Sequence, residues 1–159
     1  MIRSAQPKDA SRLAEILIFT KRMSYRSIFH NDIVTFQKMQ VLDLALKFRD
    51  QPSSLKNLYV YDDGIVKGLI RWEMVKSGFI EIEELYVDAF FHGEGVGHEL
   101  LNSCVSAAED LEAHTIMLWV LEENLSARRF YEHYGFHADS QKKLYPGTNA
   151  VLCRYIFHL

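Results

Sequence analysis

Residues 79–104 read Phe79-Ile80-Glu81-Ile82-Glu83-Glu84-Leu85-Tyr86-Val87-Asp88-Ala89-Phe90-Phe91-His92-Gly93-Glu94-Gly95-Val96-Gly97-His98-Glu99-Leu100-Leu101-Asn102-Ser103-Cys104. Ile80, Ile82, Leu85 and Val87, with Tyr86, carry the β-branched and aromatic character of a strand, and the apolar positions alternate until Glu83 and Glu84 interrupt them. Beyond the glycines the spacing changes. Gly97, Leu100, Leu101, Cys104, Val105, Ala108 and Leu111 form the i, i+3, i+4, i+7 stripe of an amphipathic helix. The change of period locates a turn between strand and helix, the joint of an α/β fold.

In that turn Gly93, Gly95 and Gly97 alternate with Glu94 and Val96. Lacking Cβ atoms, they let consecutive backbone N–H groups approach a ligand, and the first turn of the following helix adds N–H groups and the positive end of its dipole. Such donors suit a pyrophosphate. A tight, glycine-capped turn between strand and helix is the alternative. The dinucleotide spacing G-x-G-x-x-G does not fit strictly alternate glycines, and a P-loop is excluded because His98 and Glu99 follow Gly97.

His92-Gly93-Glu94-Gly95-Val96-Gly97, placed after Leu85-Tyr86-Val87-Asp88, resembles motif A of the GCN5-related N-acetyltransferases (GNAT), Q/R-x-x-G-x-G/A at a strand end. The glycines match, and His92 stands where the family has Gln or Arg. A second stretch, Asn124-Leu125-Ser126-Ala127-Arg128-Arg129-Phe130-Tyr131-Glu132-His133-Tyr134-Gly135-Phe136, resembles the family's N-x-x-A-x-x-F/L-Y-x-x-x-G-F, in the family's order. The resemblance extends more weakly over nearly the whole chain. It implies an α/β fold whose mixed, mostly antiparallel central sheet has splayed central strands and flanking helices, as one acetyltransferase domain over 1–159.

Length and composition agree with one compact globule. The chain has 159 residues, 48% of them hydrophobic and 13% aromatic, enough to bury a core. A net charge of −3, with Lys and Arg scattered, gives no bulk attraction to nucleic acid or to an anionic membrane. No apolar run reaches a membrane span and the N-terminus does not read as a signal peptide, so the expected location is cytoplasmic. Cys104 and Cys153 fall at apolar positions, as reduced core thiols do, and the histidines lack metal-ligand spacing, so no metal is expected.

In chain order, Ile2 to Ala5 reads as a strand, and Pro7 and Asp9 start a first helix with the stripe Ala10, Leu13, Ile16, Leu17. An aromatic loop carrying Tyr25 and Phe29 follows. A second helix is predicted from about Asp32, through Ile33, Phe36, Leu44 and Phe48, to just before Pro52. Leu58 to Tyr61, the turn Asp62-Asp63-Gly64 and Ile65 to Met74 form a hairpin, and Lys76-Ser77-Gly78 turns into the central strand. Met117 to Leu121 reads as a strand buried on both faces, and Phe136 to Leu144 with Ala150 to Phe157 as a closing hairpin. The order is β-α-α-β-β-β-α-β-α-β-β.

The resemblance assigns roles. Acetyl-CoA is the implied co-substrate. Its pyrophosphate falls to His92, Gly93, Glu94, Gly95, Val96, Gly97 and His98, and its pantetheine arm pairs with the central strand at Leu85, Tyr86 and Val87, where the Tyr86 or Val87 N–H would stabilise an oxyanion. Asn124, Ala127 and Tyr131 are implied at the cofactor from the second motif, with Tyr131 as the acid for the departing thiolate. Asn124 before a helix also reads as a plain N-cap. Arg128 or Arg129 could reach the 3′-phosphate, although a solvated helix face is the ordinary reading for either.

Acetyl transfer needs a base for the amine proton. Glu83 is favoured, then Glu81. The two share one strand face while Glu84 points to the other. Clustered carboxylates would also attract a cationic amine, and a solvated acidic face is their bland alternative. Tyr25, Phe29 and Glu84 are candidate contacts to a small-molecule or peptide amine, core packing being the alternative for the two aromatic residues. A homodimer is compatible with the family. The reading of another class is a CoA-binding regulatory or interaction module that keeps the fold with little turnover.

Overall fold

A computed structural model of the protein describes residues 1–30, 32–33, 36 and 40–159. The elements are β1 (Ile2–Ser4), α1 (Ala10–Phe29), α2 (Val41–Asp50), β2 (Leu58–Asp62), β3 (Val66–Lys76), β4 (Phe79–Val87), α3 (Val96–Asp110), β5 (Thr115–Leu121), α4 (Leu125–Tyr134), β6 (His137–Leu144) and β7 (Val151–His158). Their order is the one read from the sequence. The strands form a seven-stranded sheet in the order β1-β2-β3-β4-β5-β7-β6. β4 and β5 are parallel, in register from Phe79 with Thr115 to Ile82 with Leu118. β1 with β2, β2 with β3, β5 with β7 and β6 with β7 are antiparallel. The expected mixed, mostly antiparallel sheet with flanking helices is what the chain forms.

The chain divides into two compact units, Met1–Arg71 with Glu84–Ser103, and Trp72–Glu83 with Cys104–Leu159. In the first, the predicted stripe of α1 is buried, with Leu13 and Ala14 fully enclosed against Phe48 of α2, Leu58 and Val60 of β2, and Leu69 of β3. Each such aliphatic side chain removed from water contributes about 1.5–3 kcal/mol. α1 runs to Phe29, so Tyr25 and Phe29 lie on its last turns and not in a loop. No Gly or Pro interrupts residues 8–51, and α1 stops where His30 turns left-handed, its N–H still bonded to the Arg26 carbonyl. Of the expected second helix from near Asp32, Asp32, Ile33 and Phe36 are helical, residues 31, 34, 35 and 37–39 lie outside the described ones, and the regular helix α2 begins at Val41.

In the second unit, β5 pairs with β7 from Thr115 with His158 to Leu121 with Leu152. Ile116, Leu118 and Val120 are buried, whereas Met117 and Trp119 are only half-buried. The expectation of a β5 buried on both faces is thereby corrected: the Trp119 ring is covered by a cation, Lys143 Nζ at 4.1 Å from its centroid. The turn into β4 needs its glycine. Gly78 has φ +76°, and a Cβ there would stand 2.3 Å from His114 Nε2. Cys104 and Cys153 are buried free thiols. Among the described residues no helix is long and apolar enough to cross a membrane.

Candidate active site

In the first unit β4 ends at Val87, and Asp88 caps the 3-10 turn Ala89–Phe91 by accepting the Phe90 N–H. Asp88 also meets Arg12 of α1 at 2.6 Å. Burial would raise the Asp88 carboxyl pKa, but the Phe90 N–H and Arg12 outweigh it and hold the group below the ordinary range. Lys67 of β3 ties the loop from its other side, 3.0 Å from Glu94 and 2.8 Å from Asp63. The loop between these anchors is left-handed at Gly93 (φ +84°) and Gly95 (φ +82°), and a Cβ at either would meet nothing within 4 Å. Glycine is therefore required there by conformation, while the space in front of the backbone is open.

Gly97, the third glycine, has already entered α3, which begins at Val96. The Glu99 N–H closes onto the Gly95 carbonyl at 3.1 Å. The N–H groups of Val96 and Gly97 thus belong to the first helical turn, which has no intrahelical acceptors for them, and His98 follows on the same turn. This donor set fits an anionic diphosphate. His92 turns back to the strand, its Nε2 3.0 Å from the Val87 carbonyl, an arrangement that places a proton on Nε2. The histidine at the Gln/Arg position therefore pins the loop to β4.

Along β4 the backbone alternates. The Asp88 N–H donates to the Lys67 carbonyl at 2.9 Å, and a Cβ on Gly68 would lie 3.0 Å from the Tyr86 carbonyl oxygen. Tyr86 and Asp88 so direct their backbone groups at β3, and the amides of Leu85 and Val87 point the opposite way. Beside this end of β4 lies the last part of α1. The Tyr25 and Tyr86 hydroxyls are 3.3 Å apart, Tyr25 meets Phe29 edge-on at 5.2 Å, and the Lys21 ammonium stands 5.7 Å from the Tyr86 ring centroid. Burial draws the Lys21 pKa below its ordinary value, and the Glu84 charge only partly offsets this.

Glu84 is not an open anion. Arg71 holds it at 3.0 Å while donating to the Lys56 and Ser54 carbonyls. No motif singles out Lys21 or Arg71 in the sequence, although Lys21, Tyr25 and Phe29 repeat every fourth residue and so share one face of α1.

In the second unit, half-buried Glu81 and exposed Glu83 flank buried Ile82 on β4. Asn124 caps α4, its side-chain oxygen accepting the Ala127 N–H at 3.2 Å. Tyr131 is buried on α4, its ring edge-on to Phe130 and Phe136 at 5.3 and 5.7 Å. Left-handed Gly135 ends the helix, its N–H reaching the Tyr131 and Glu132 carbonyls, and the Phe136 N–H also bonds the Tyr131 carbonyl. Arg128 is neither a solvated residue nor an outward-reaching one. It donates to the Tyr155 hydroxyl and the Glu122 carbonyl, each at 3.0 Å, and Tyr155 donates to Glu132 at 2.6 Å. The structure thus gathers the loop, the end of β4, Tyr25, Phe29 and Glu84 in the first unit, and Glu81, Glu83, Asn124, Ala127 and Tyr131 in the second.

A model of the acetyltransferase (GNAT) family matches residues 21–136. A probable N-acetyltransferase of Mycobacterium tuberculosis is 27% identical over 150 residues, covering 88% of this chain and 81% of its own. An uncharacterised N-acetyltransferase of Methanocaldococcus jannaschii is 39% identical over 61 residues, which are 38% of this chain but only 27% of that protein. Among solved structures, the PaiA N-acetyltransferase of Thermoplasma acidophilum in complex with coenzyme A has the same fold, with a TM-score of 0.74 at 18% identity over 97% of this chain and 96% of the other.

Proposed function

Because the chain belongs to the acetyltransferase (GNAT) family, we propose that it is an N-acetyltransferase that moves the acetyl group of acetyl-CoA to a primary amine by direct attack in a ternary complex. The observation that carries this reading is the left-handed pair Gly93 and Gly95 opening directly onto the first turn of α3, with free space before the backbone. Residues from His92 to His98 hold the diphosphate, mainly through backbone N–H groups. Leu85 and Val87, whose amides point away from β3, pair with the pantetheine arm, and the Val87 N–H, not that of Tyr86, receives the developing oxyanion.

Glu83 accepts the proton of the attacking amine, directly or through water, with Glu81 as the other candidate. Tyr131 gives its phenolic proton to the departing thiolate. Asn124 serves as helix cap and cofactor contact together, beside Ala127. Tyr25 and Phe29 line the acceptor side at the end of α1. On this reading 1–159 is one acetyltransferase domain of a cytoplasmic protein.

Calorimetric titration with acetyl-CoA tests the cofactor site. The wild-type protein binds, and Gly95→Glu, which forces a side chain into a left-handed position and into the open space, weakens binding at least roughly ten-fold, about 1.4 kcal/mol. No binding by the wild type overturns the reading. Binding without thiol release from any amine would leave a CoA-binding module with the fold and no turnover.

A further inference from the structure

We propose that Lys21 selects acceptors carrying a carboxylate close to the reacting amine, as in an α-amino acid or a peptide with an acidic N-terminal residue. This deepens the acetyltransferase reading and rests on it. Lys21 is a half-buried ammonium held over the Tyr86 ring, 5.7 Å from its centroid. Among the described residues it has no hydrogen-bond or ion-pair partner. The neighbouring carboxylate, Glu84, is already committed to Arg71 at 3.0 Å.

A cation taken partly out of water, with an aromatic face beside it and a carboxylate already bound to another cation as its only anion among the described residues, has unmet demand for an anion. The lowered pKa has the same origin, since burial outweighs the pull of Glu84. The surroundings set which anion. The phosphates of acetyl-CoA are assigned to the loop after Val87, whereas Lys21 stands over Tyr86, before that loop, on the face of α1 that also carries Tyr25 and Phe29. Arg71 already answers the charge of Glu84, so Lys21 presents its positive charge to this side of the strand with only a distant pull from Glu84. A polyamine would meet repulsion there and a carboxylate would meet attraction.

The test compares α-amino acids with their own carboxamides as acceptors, with spermine as the polycation, by thiol release at saturating acetyl-CoA. The wild type prefers the acid to its amide by roughly ten- to a hundred-fold in kcat/KM, the range of a charged hydrogen bond. In Lys21→Met that ratio collapses toward one through a raised KM for the acid, and Lys21→Arg restores most of it. Acetyl-CoA titration of each variant confirms that it is folded. Equal use of acid and amide, preference for spermine, or an unchanged ratio in Lys21→Met overturns the assignment while leaving the acetyltransferase reading intact. Absence of thiol release from every acceptor overturns both.

Discussion

Tyr131 packs edge-on between Phe130 and Phe136 while nearly all of its surface is buried, so removing only its hydroxyl leaves the packing in place. As the thiolate's acid, Tyr131→Phe lowers kcat roughly a hundred-fold and moves the Kd for acetyl-CoA little. An unchanged kcat at saturating acetyl-CoA removes the assignment. Glu83→Gln behaves differently. Its loss in kcat/KM is largest near neutral pH, where the amine is mostly protonated, and shrinks as pH rises toward the amine's own pKa; a profile in which Glu81→Gln shows this pattern instead shifts the base to Glu81. The glycines, Asn124 and Tyr131 could be singled out in the sequence because their spacing is local and fixed. The Arg71 to Glu84 pair, 13 residues apart, and the Arg128 to Tyr155 to Glu132 chain, spanning 27 and 23, could not, because only the folded sheet brings them together.

Elements were legible where period and punctuation agree. β4, its loop and α3 lie where the change of period puts them, and Gly78 and Gly135 mark turns whose φ of +76° and +116° only glycine takes easily. At Gly135 a Cβ would also stand 3.2 Å from the Phe157 ring, so Gly135→Ala costs about 1–3 kcal/mol in urea unfolding. Asn124→Ala, losing the cap of α4, costs about 1 kcal/mol. The C-terminal end of α1 is not legible in the sequence, because no Gly or Pro marks a stop before His30.

Its N-terminal end carries a pH dependence. Burial would raise the Asp9 carboxyl, but Arg3, 2.7 Å away, and the Gln6 N–H at 2.9 Å hold it below the ordinary range. A folded pKa below the unfolded value of about 3.9 gives stability that is present above that pH and lost as pH falls through the folded value. The urea midpoint therefore drops with acidification below about pH 4, and Asp9→Asn makes that drop shallower.

At the scale of the molecule, the two compact units divide the chain at positions that no composition shift marks. Their boundaries fall at Arg71 and Trp72 within β3, at Glu83 and Glu84 within β4, and at Ser103 and Cys104 within α3. A boundary inside a strand or a helix differs from a linker, since neither unit can unfold without ending a hydrogen-bonded element in its middle. Cooperative unfolding of the whole chain is the expected outcome for one domain over 1–159. The tryptophans make this measurable, because Trp72 and Trp119 both belong to the second unit, whereas α1 and α2 lie wholly in the first. Tryptophan fluorescence and far-UV circular dichroism should trace one coincident urea transition, with an m-value on the order of 1–3 kcal/mol/M. Two separated midpoints, with fluorescence following one and part of the helical signal the other, would divide 1–159 into two domains. In that case a saturating concentration of acetyl-CoA would raise only the midpoint of the unit that binds it, instead of the single midpoint expected of one catalytic domain.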